Sequence, residues 1–249
     1  MANFLLEIGT EELPADFSRL VLGQLEKTVS HDLKENRLDY GSIICTSTPR
    51  RIAVLIEDLA EEASDLEEVR KGPPADKAFK NGSPTEAAIG FAKRLDIDVK
   101  HLEIKETPKG QFVFGKKIEQ GERASNLLID LVPKWISGLQ GTRFMRWGTK
   151  ERRFSRPIRW IVSLLDEKIL PCLIDDTDPE IRSGSISRGH RLYSQSIVIS
   201  SASTYLSTLE NSGVIVDREK RLSIISRLVK ESESEMNASA DIPNQLLNE

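Results

Sequence analysis

The fold is decided at the start of the chain, where residues 3–14 have the sequence NFLLEIGTEELP. Only Asn3 and Glu7 interrupt the apolar character of its first half, and such a run is typical of a strand. Gly9 ends the run, and Pro14 suits the first turn of a helix because its missing N–H would have no partner there. The stretch therefore predicts a strand that leads directly into a helix.

Outward from this stretch, strands and helices alternate. Apolar residues recur at helical spacing over 14–36, and strand-like runs follow at 42–47 and 51–59. Two further runs, 158–165 and 168–174, predict a hairpin. Because the alternation has no regular strand–helix–strand rhythm, the sequence predicts an α+β fold with a mixed, largely antiparallel sheet and packed helices.

Two clusters of breaker residues interrupt the pattern, Gly72-Pro73-Pro74 and Asn81-Gly82-Ser83-Pro84. A helical stretch follows the second cluster, and strand character resumes near residue 111. We therefore expect a small helical insertion at 73–106 within a main α/β domain formed by 1–72 and 107–230.

The C-terminal end is polar over 231–241 and then begins an apolar element at Ile242. Nothing after that element could pair with it, because the sequence stops at Glu249. We therefore expect 231–249 to be the weakly ordered, truncated tail of a longer protein.

Composition excludes several classes of protein. The chain has 249 residues, 39% hydrophobic and 30% charged, which suits one large or two small folded domains. Its apolar runs are far shorter than the roughly 20 residues of a membrane helix. The N-terminus has no signal-peptide or transit-peptide pattern. We therefore expect a cytoplasmic protein with no membrane association.

The sequence also lacks the motifs of several kinds of site. The only cysteines, Cys45 and Cys172, are far apart, and the three histidines have no metal-ligand spacing. There is no P-loop, dinucleotide-binding or G-x-S-x-G motif. We expect no catalytic residue, no metal and no cofactor bound by this chain.

Carboxylates cluster at the first turn, where Glu7, Glu11 and Glu12 surround Gly9-Thr10. Such a group could perform acid–base chemistry or bind a metal. The favoured interpretation is structural, because acidic side chains before a helix suit its dipole.

Charge is segregated along the chain, although the net charge is only −4. Residues 57–68 hold seven acidic side chains and no basic one, whereas 143–159 hold seven basic side chains and one acidic. Aromatic residues are interleaved with these cations: Phe144, Trp147, Phe154 and Trp160. Arginine binds phosphate and aromatic rings stack on bases, so the stretch is a candidate RNA contact. Alternatively, the rings are core and the arginines pair with 57–68 or with a partner subunit.

A second basic segment, 182–191, could hold a phosphate group or pack on an acidic neighbour, and both interpretations stay open. The candidate RNA-binding residues from the two segments are Arg143, Arg146, Lys150, Arg152, Arg153, Arg156, Arg159, Arg188 and Arg191.

Five short segments carry a resemblance to a known family: Phe4–Pro14, Thr48–Val54, Met145–Gly148, Phe154–Trp160 and Arg188–Arg191. In order and spacing, over nearly the whole chain, they resemble the N-terminal part of the β subunit family of the bacterial heteromeric glycyl-tRNA synthetase.

The resemblance implies a non-catalytic role. In that family the α subunit carries the catalytic core and uses ATP, while the β subunit supports assembly and tRNA binding. The implied partners are the α subunit and glycine tRNA, and the implied fold is similar to the B3/B4 module of the phenylalanyl-tRNA synthetase β subunit. The alternative function is a protein-interaction scaffold with no direct RNA contact.

Overall fold

The computed structural model describes residues 1–146, 153–175, 180–190, 192, 196–243 and 246. The chain divides into two compact units. The main unit consists of Met1–Glu61 and Arg123–Glu249, and the inserted unit consists of Glu62–Glu122. Each unit combines strands with helices.

The strands are, in chain order, β1 (Ala2–Thr10), β2 (Ser42–Thr48), β3 (Arg51–Leu59), β4 (Leu66–Pro74), β5 (Phe79–Lys80), β6 (Ser83–Pro84), β7 (Glu103–Thr107), β8 (Gly110–Glu119), β9 (Ile158–Leu165), β10 (Lys168–Ile169), β11 (Leu173–Asp175), β12 (Ile181–Gly184), β13 (Ile186–Ser187) and β14 (Ile197–Val198). The α-helices are α1 (Ala15–Glu35), α2 (Ala75–Ala78), α3 (Glu86–Leu95), α4 (Ala124–Gly138), α5 (Tyr205–Asn211) and α6 (Arg218–Met236). Within the described residues, no helix has the length and apolar character needed to cross a membrane.

The main sheet has the strand order β11-β12-β9-β1-β3-β2, and β10 pairs with β9. β1 runs antiparallel to both of its neighbours, and β2 runs antiparallel to β3. Only the pairing of β12 with β9 is parallel among the pairings in this sheet of described residues. The predicted α+β fold with a mixed, largely antiparallel sheet is therefore confirmed.

β1 is a central strand of this sheet, and both of its faces are covered. On one face, Phe4 contacts Trp135 of α4 edge to face, with ring centroids 6.1 Å apart. The indole N–H of Trp135 donates to Asp32 of α1 at 2.8 Å, which joins the two helices on that face. On the other face, Leu5 belongs to a buried cluster with Tyr205 of α5.

The elements predicted near the start of the chain are confirmed, since α1, β2 and β3 lie where the apolar patterns place them. The predicted strand 168–174 is divided into two. β10 pairs with β9, whereas β11 pairs with β12. Pro171 separates the two pieces, and proline has no N–H to donate to a ladder.

The inserted unit has its own sheet and core. β8 lies between β4 and β7 and is antiparallel to both, and Phe91 of α3 packs against Val113 of β8. The unit is larger than the helical insertion expected at 73–106. Residues 62–72 and 107–122 were expected in the main domain, but they belong to the inserted unit because β4 and β8 pair with each other.

Removal of the inserted unit is expected to leave a folded main unit. The backbone N–H of Ala124 donates to the carbonyl oxygen of Glu61 at 2.8 Å, so the two ends left in the main unit are adjacent. Replacing 62–122 by a short Gly-Ser linker should preserve a single cooperative thermal transition in calorimetry. Loss of that transition would contradict the division into two units.

The C-terminal end contains more helix than expected. α6 continues to Met236 and ends at Asn237, whose φ of 49° is left-handed, a common way to end a helix. None of the side chains of α6 is buried. The weak ordering expected for 231–249 stays a prediction.

Candidate nucleic-acid interface

A buried ionic cluster lies on the face of the main sheet that α5 covers. Glu7 of β1 is fully buried, and Arg51 of β3 is only 3% exposed. One oxygen of Glu7, Oε1, accepts hydrogen bonds from the indole N–H of Trp160 and, at 2.6 Å, from the hydroxyl of Ser187. Arg51 Nη1 lies 3.9 Å from the other oxygen, Oε2. The cluster thus joins four strands: β1 and β3 supply the ion pair, and β9 and β13 supply the hydrogen-bond donors to Glu7.

This cluster holds the chain that follows β13 against the sheet. Arg51 Nη2 donates to the carbonyl oxygen of Arg188 at 2.6 Å. The guanidinium of Arg188 lies over the indole of Trp160, 4.9 Å from the ring centroid, and Arg50 lies 5.9 Å from the same centroid. Because Arg188 is exposed, the buried ion pair positions an arginine at the surface above Trp160.

Tyr205 completes the cluster on the side of α5. Burial raises the pKa of its phenol well above the ordinary value, and the negative charge of Glu7 raises it further, while Arg51 opposes the shift. The phenol therefore stays neutral at physiological pH, and the charges of the cluster are those of Glu7 and Arg51.

The environment of the Cys45 thiol on β2 disfavours its ionised form. Burial, together with the charge of Glu26, raises the pKa of the Cys45 thiol to about 12, so it remains a thiol rather than a nucleophilic thiolate. Across the described residues, His, Cys, Asp and Glu side chains form no group that could hold a metal ion.

The exposed arginines lie on a two-stranded bridge that precedes β9. Met145 and Phe154 exchange both backbone hydrogen bonds, at 2.9 and 3.2 Å. Arg146 follows Met145 and Arg153 precedes Phe154, so the two arginines flank this bridge. Both are exposed, as is Arg143. Arg143 also lines a cleft of about 250 Å³ beside the start of α1.

Phenylalanine rings pack this bridge against α1 within the main unit. Phe144 and Phe154 contact Phe17 of α1, with centroid distances of 5.6 and 5.7 Å. Phe154 and Trp160 are buried, so they serve as core residues, as one of the two interpretations of the basic stretch predicted. Trp147 lies outside the described residues.

Comparison with known proteins decides the family. A family model described as glycyl-tRNA synthetase beta subunit matches residues 4–249. The chain belongs to the glycyl-tRNA synthetase β-subunit family.

Individual relatives agree with this assignment. The chain is 44% identical to the glycine–tRNA ligase beta subunit of Trichodesmium erythraeum and 42% identical to that of Synechocystis sp., each over 100% of this chain. It is 37% identical to that of Natranaerobius thermophilus over 99% of this chain. Each alignment covers 35% of the relative, so the chain spans about a third of the length of the curated relatives it matches.

In this β-subunit chain the nine candidate RNA-binding residues fall into three groups. Three are exposed and form no ion pair with any described residue: Arg143, Arg146 and Arg153. Three have partners within the chain: Arg156, Arg159 and Arg188. Three lie outside the described residues: Lys150, Arg152 and Arg191.

The internal partners differ from those that the charge pattern suggested. Arg159 Nε donates to Glu11 Oε1 at 2.6 Å, and the other oxygen of Glu11 lies 3.8 Å from Arg50. Arg159 therefore pairs with the first turn and not with the acidic stretch 57–68. Glu7 and Glu11 contact arginines, Arg51 and Arg159, a role that the interpretation from the helix dipole did not include.

The ion pair of Glu7 with Arg51 escaped sequence reasoning. Its signal is a lone carboxylate inside an apolar strand, together with an arginine that begins another apolar strand. Because a buried charge is stable only with a partner, two such interruptions favour a mutual contact.

Proposed function

We propose that this chain is the N-terminal, non-catalytic module of a glycyl-tRNA synthetase β subunit, which supports subunit assembly and tRNA binding. The α subunit and glycine tRNA are its partners, and ATP-dependent activation of glycine takes place on the α subunit, so the chain alone is inactive. Membership of the family supports this proposal, as does the lack of nucleotide-binding motifs in the sequence.

We also propose that the main unit is similar to the B3/B4 module of the phenylalanyl-tRNA synthetase β subunit. Its mixed sheet, covered by α1 and α4 on one face and α5 on the other, supports this likeness.

The observation that carries the RNA contact is the placement of unpaired arginines. Arg146 and Arg153 flank the Met145–Phe154 bridge, and both are exposed. Neither forms an ion pair with a described residue. An RNA phosphate would bring the missing negative charge, and the planar guanidinium group binds phosphate through two hydrogen bonds.

The double variant Arg146→Glu/Arg153→Glu tests this contact in the complete α/β enzyme. It is expected to raise the KM for tRNA about tenfold at low ionic strength, because two phosphate contacts are lost and two repulsions are gained. Glycine-dependent ATP–pyrophosphate exchange should stay unchanged, since that step needs no tRNA.

The matched control is Lys27→Glu/Lys168→Glu, which makes the same change of charge at two exposed lysines outside the bridge. It should leave the KM for tRNA near the wild-type value. If the arginine variant instead loses association with the α subunit, the bridge belongs to a protein interface and the scaffold function is correct. If neither property changes, the arginines are only solvated and the RNA contact is wrong.

A further inference from the structure

The sheet of the inserted unit has one face that its own helices leave open. Val113 of β8 is fully buried and belongs to the core with α3. Because side chains alternate along a strand, Phe112 and Phe114 lie on the opposite face. On that face, Val69 of β4 is 56% exposed and Ile118 of β8 is 53% exposed.

Lysines surround the two phenylalanine rings on this open face. Lys71 Nζ lies 3.4 Å from the centroid of Phe112, and Lys105 Nζ lies 5.9 Å from the centroid of Phe114. Lys116 follows Phe114 on the same face of β8, opposite Val69. We name this set, Phe112, Phe114, Lys71, Lys105 and Lys116, the aromatic face.

The lysines of the aromatic face can exchange their present partners for RNA phosphates. Lys105 pairs with Glu103 at 2.9 Å and Lys116 pairs with Glu67 at 2.6 Å, but all four side chains are at least half exposed. Exposed ion pairs of this kind contribute little stability. Lys71 has no ion-pair partner among the described residues and lies over a ring, a contact that is weak when exposed to water.

We propose that the aromatic face binds single-stranded RNA. Two bases stack on Phe112 and Phe114, and the three lysines contact the phosphates on either side. Phe112 and Phe114 are half-buried, and each leaves part of its ring on the open face of the central strand, with cations beside it. Such rings and cations provide the stacking surface and the backbone contacts that RNA binding requires. This proposal rests on the proposed function in one respect: the natural ligand of the aromatic face is then an unpaired segment of tRNA.

The aromatic face fits RNA better than a protein partner. The centres of protein–protein interfaces are depleted in lysine and glutamate, whereas here lysines adjoin both rings. Lys71 occupies the face of the Phe112 ring where a base would stack, so binding would move its flexible side chain toward a phosphate. The exposed pair Lys116–Glu67 could exchange in the same way.

The test measures binding of a short fluorescent oligouridine to the purified 249-residue chain by anisotropy, at several salt concentrations. Phe112→Leu/Phe114→Leu keeps apolar side chains but removes the flat stacking surface. It should weaken binding about tenfold or more while the dependence of affinity on salt stays unchanged. Phe112→Tyr/Phe114→Tyr retains both rings and should bind like the wild type.

The lysines should behave differently from the rings. Lys71→Gln/Lys116→Gln should weaken binding and reduce the slope of log affinity against log salt concentration by about 1.4, because two contacts with single-strand phosphates are lost. The matched control is Ile104→Leu, a conservative change of an exposed residue that pairs with Val113 and so lies on the other face of the sheet. It should leave affinity unchanged.

Three results would overturn the proposal: no binding of oligouridine by the wild-type chain at low salt, wild-type affinity in the leucine variant, or loss of α-subunit association in that variant without loss of RNA binding. The last result would identify a protein interface. The variant Arg146→Glu/Arg153→Glu, tested in parallel, separates the two proposals. If only the arginine variant loses affinity for oligouridine, the aromatic face is wrong; if only the leucine variant does, the aromatic face binds RNA independently of the arginines, whose contact is decided by the KM for tRNA.

Discussion

Replacing Gly9 by alanine is expected to lower the free energy of unfolding by about 3–5 kcal/mol. A Cβ atom at position 9 would lie 1.9 Å from Cε2 of Trp160 and 2.0 Å from Cδ2, far inside van der Waals contact. The indole is buried and donates its N–H to Glu7. It therefore cannot move aside without breaking a hydrogen bond to a buried carboxylate. The free-energy cost of overpacking and that of the lost charge-assisted hydrogen bond therefore add to each other.

Chemical denaturation of the Gly9→Ala chain measures this cost, and Gly23→Ala is the matched control. Gly23 lies inside α1, where an added Cβ would have no neighbour within 4 Å. The same methyl group should therefore stabilise the chain there by about 0.5–1 kcal/mol, since alanine favours a helix over glycine. Equal denaturation midpoints for Gly9→Ala and the wild type would contradict the packing of Trp160 on β1.

Local patterns were enough to predict the first third of the main unit. The strand and helix of 3–36 and the hairpin of β2 and β3 follow from apolar spacing and from breakers close by in sequence. The spacing of apolar residues within each element is enough to indicate its type, although β1 also pairs with the distant β9 and α1 contacts the distant α4.

Long-range pairing explains what the sequence did not reveal. β4 resembles any short polar strand, and only its pairing with β8, over 40 residues later, places 62–72 in the inserted unit. Likewise, the hydrogen bond from Arg159 to Glu11 joins residues 148 positions apart. Composition predicts that a charged residue needs a partner, but the register of distant strands decides which partner it receives.

The basic stretch, residues 143–159, depends on both local pattern and long-range pairing. Two of its aromatic residues, Phe144 and Phe154, contact Phe17, which apolar character alone could suggest. Which arginines remain free depends on the bridge between Met145 and Phe154. Arg153, which precedes the bridge residue Phe154, is exposed.

The second large effect is expected at Arg51. Arg51→Met keeps an unbranched side chain but removes the guanidinium group and its charge, which leaves the fully buried Glu7 without its counter-ion and the carbonyl oxygen of Arg188 without this donor. Removing one partner of a buried ion pair costs about 3–5 kcal/mol, because the remaining charge stays dehydrated. Urea denaturation at neutral pH measures the change in the free energy of unfolding.

A double-mutant cycle shows whether this cost arises from the ion pair. Glu7→Gln removes the negative charge but keeps an oxygen that accepts from Trp160 and Ser187. The double variant Glu7→Gln/Arg51→Met should be more stable than the sum of the two single changes predicts, by about 1–3 kcal/mol, because neither remaining side chain carries a buried charge. Additive effects would mean that Glu7 and Arg51 act independently. Arg227→Met, which removes the exposed pair with Glu231 on α6, is the matched control and should leave the denaturation midpoint nearly unchanged.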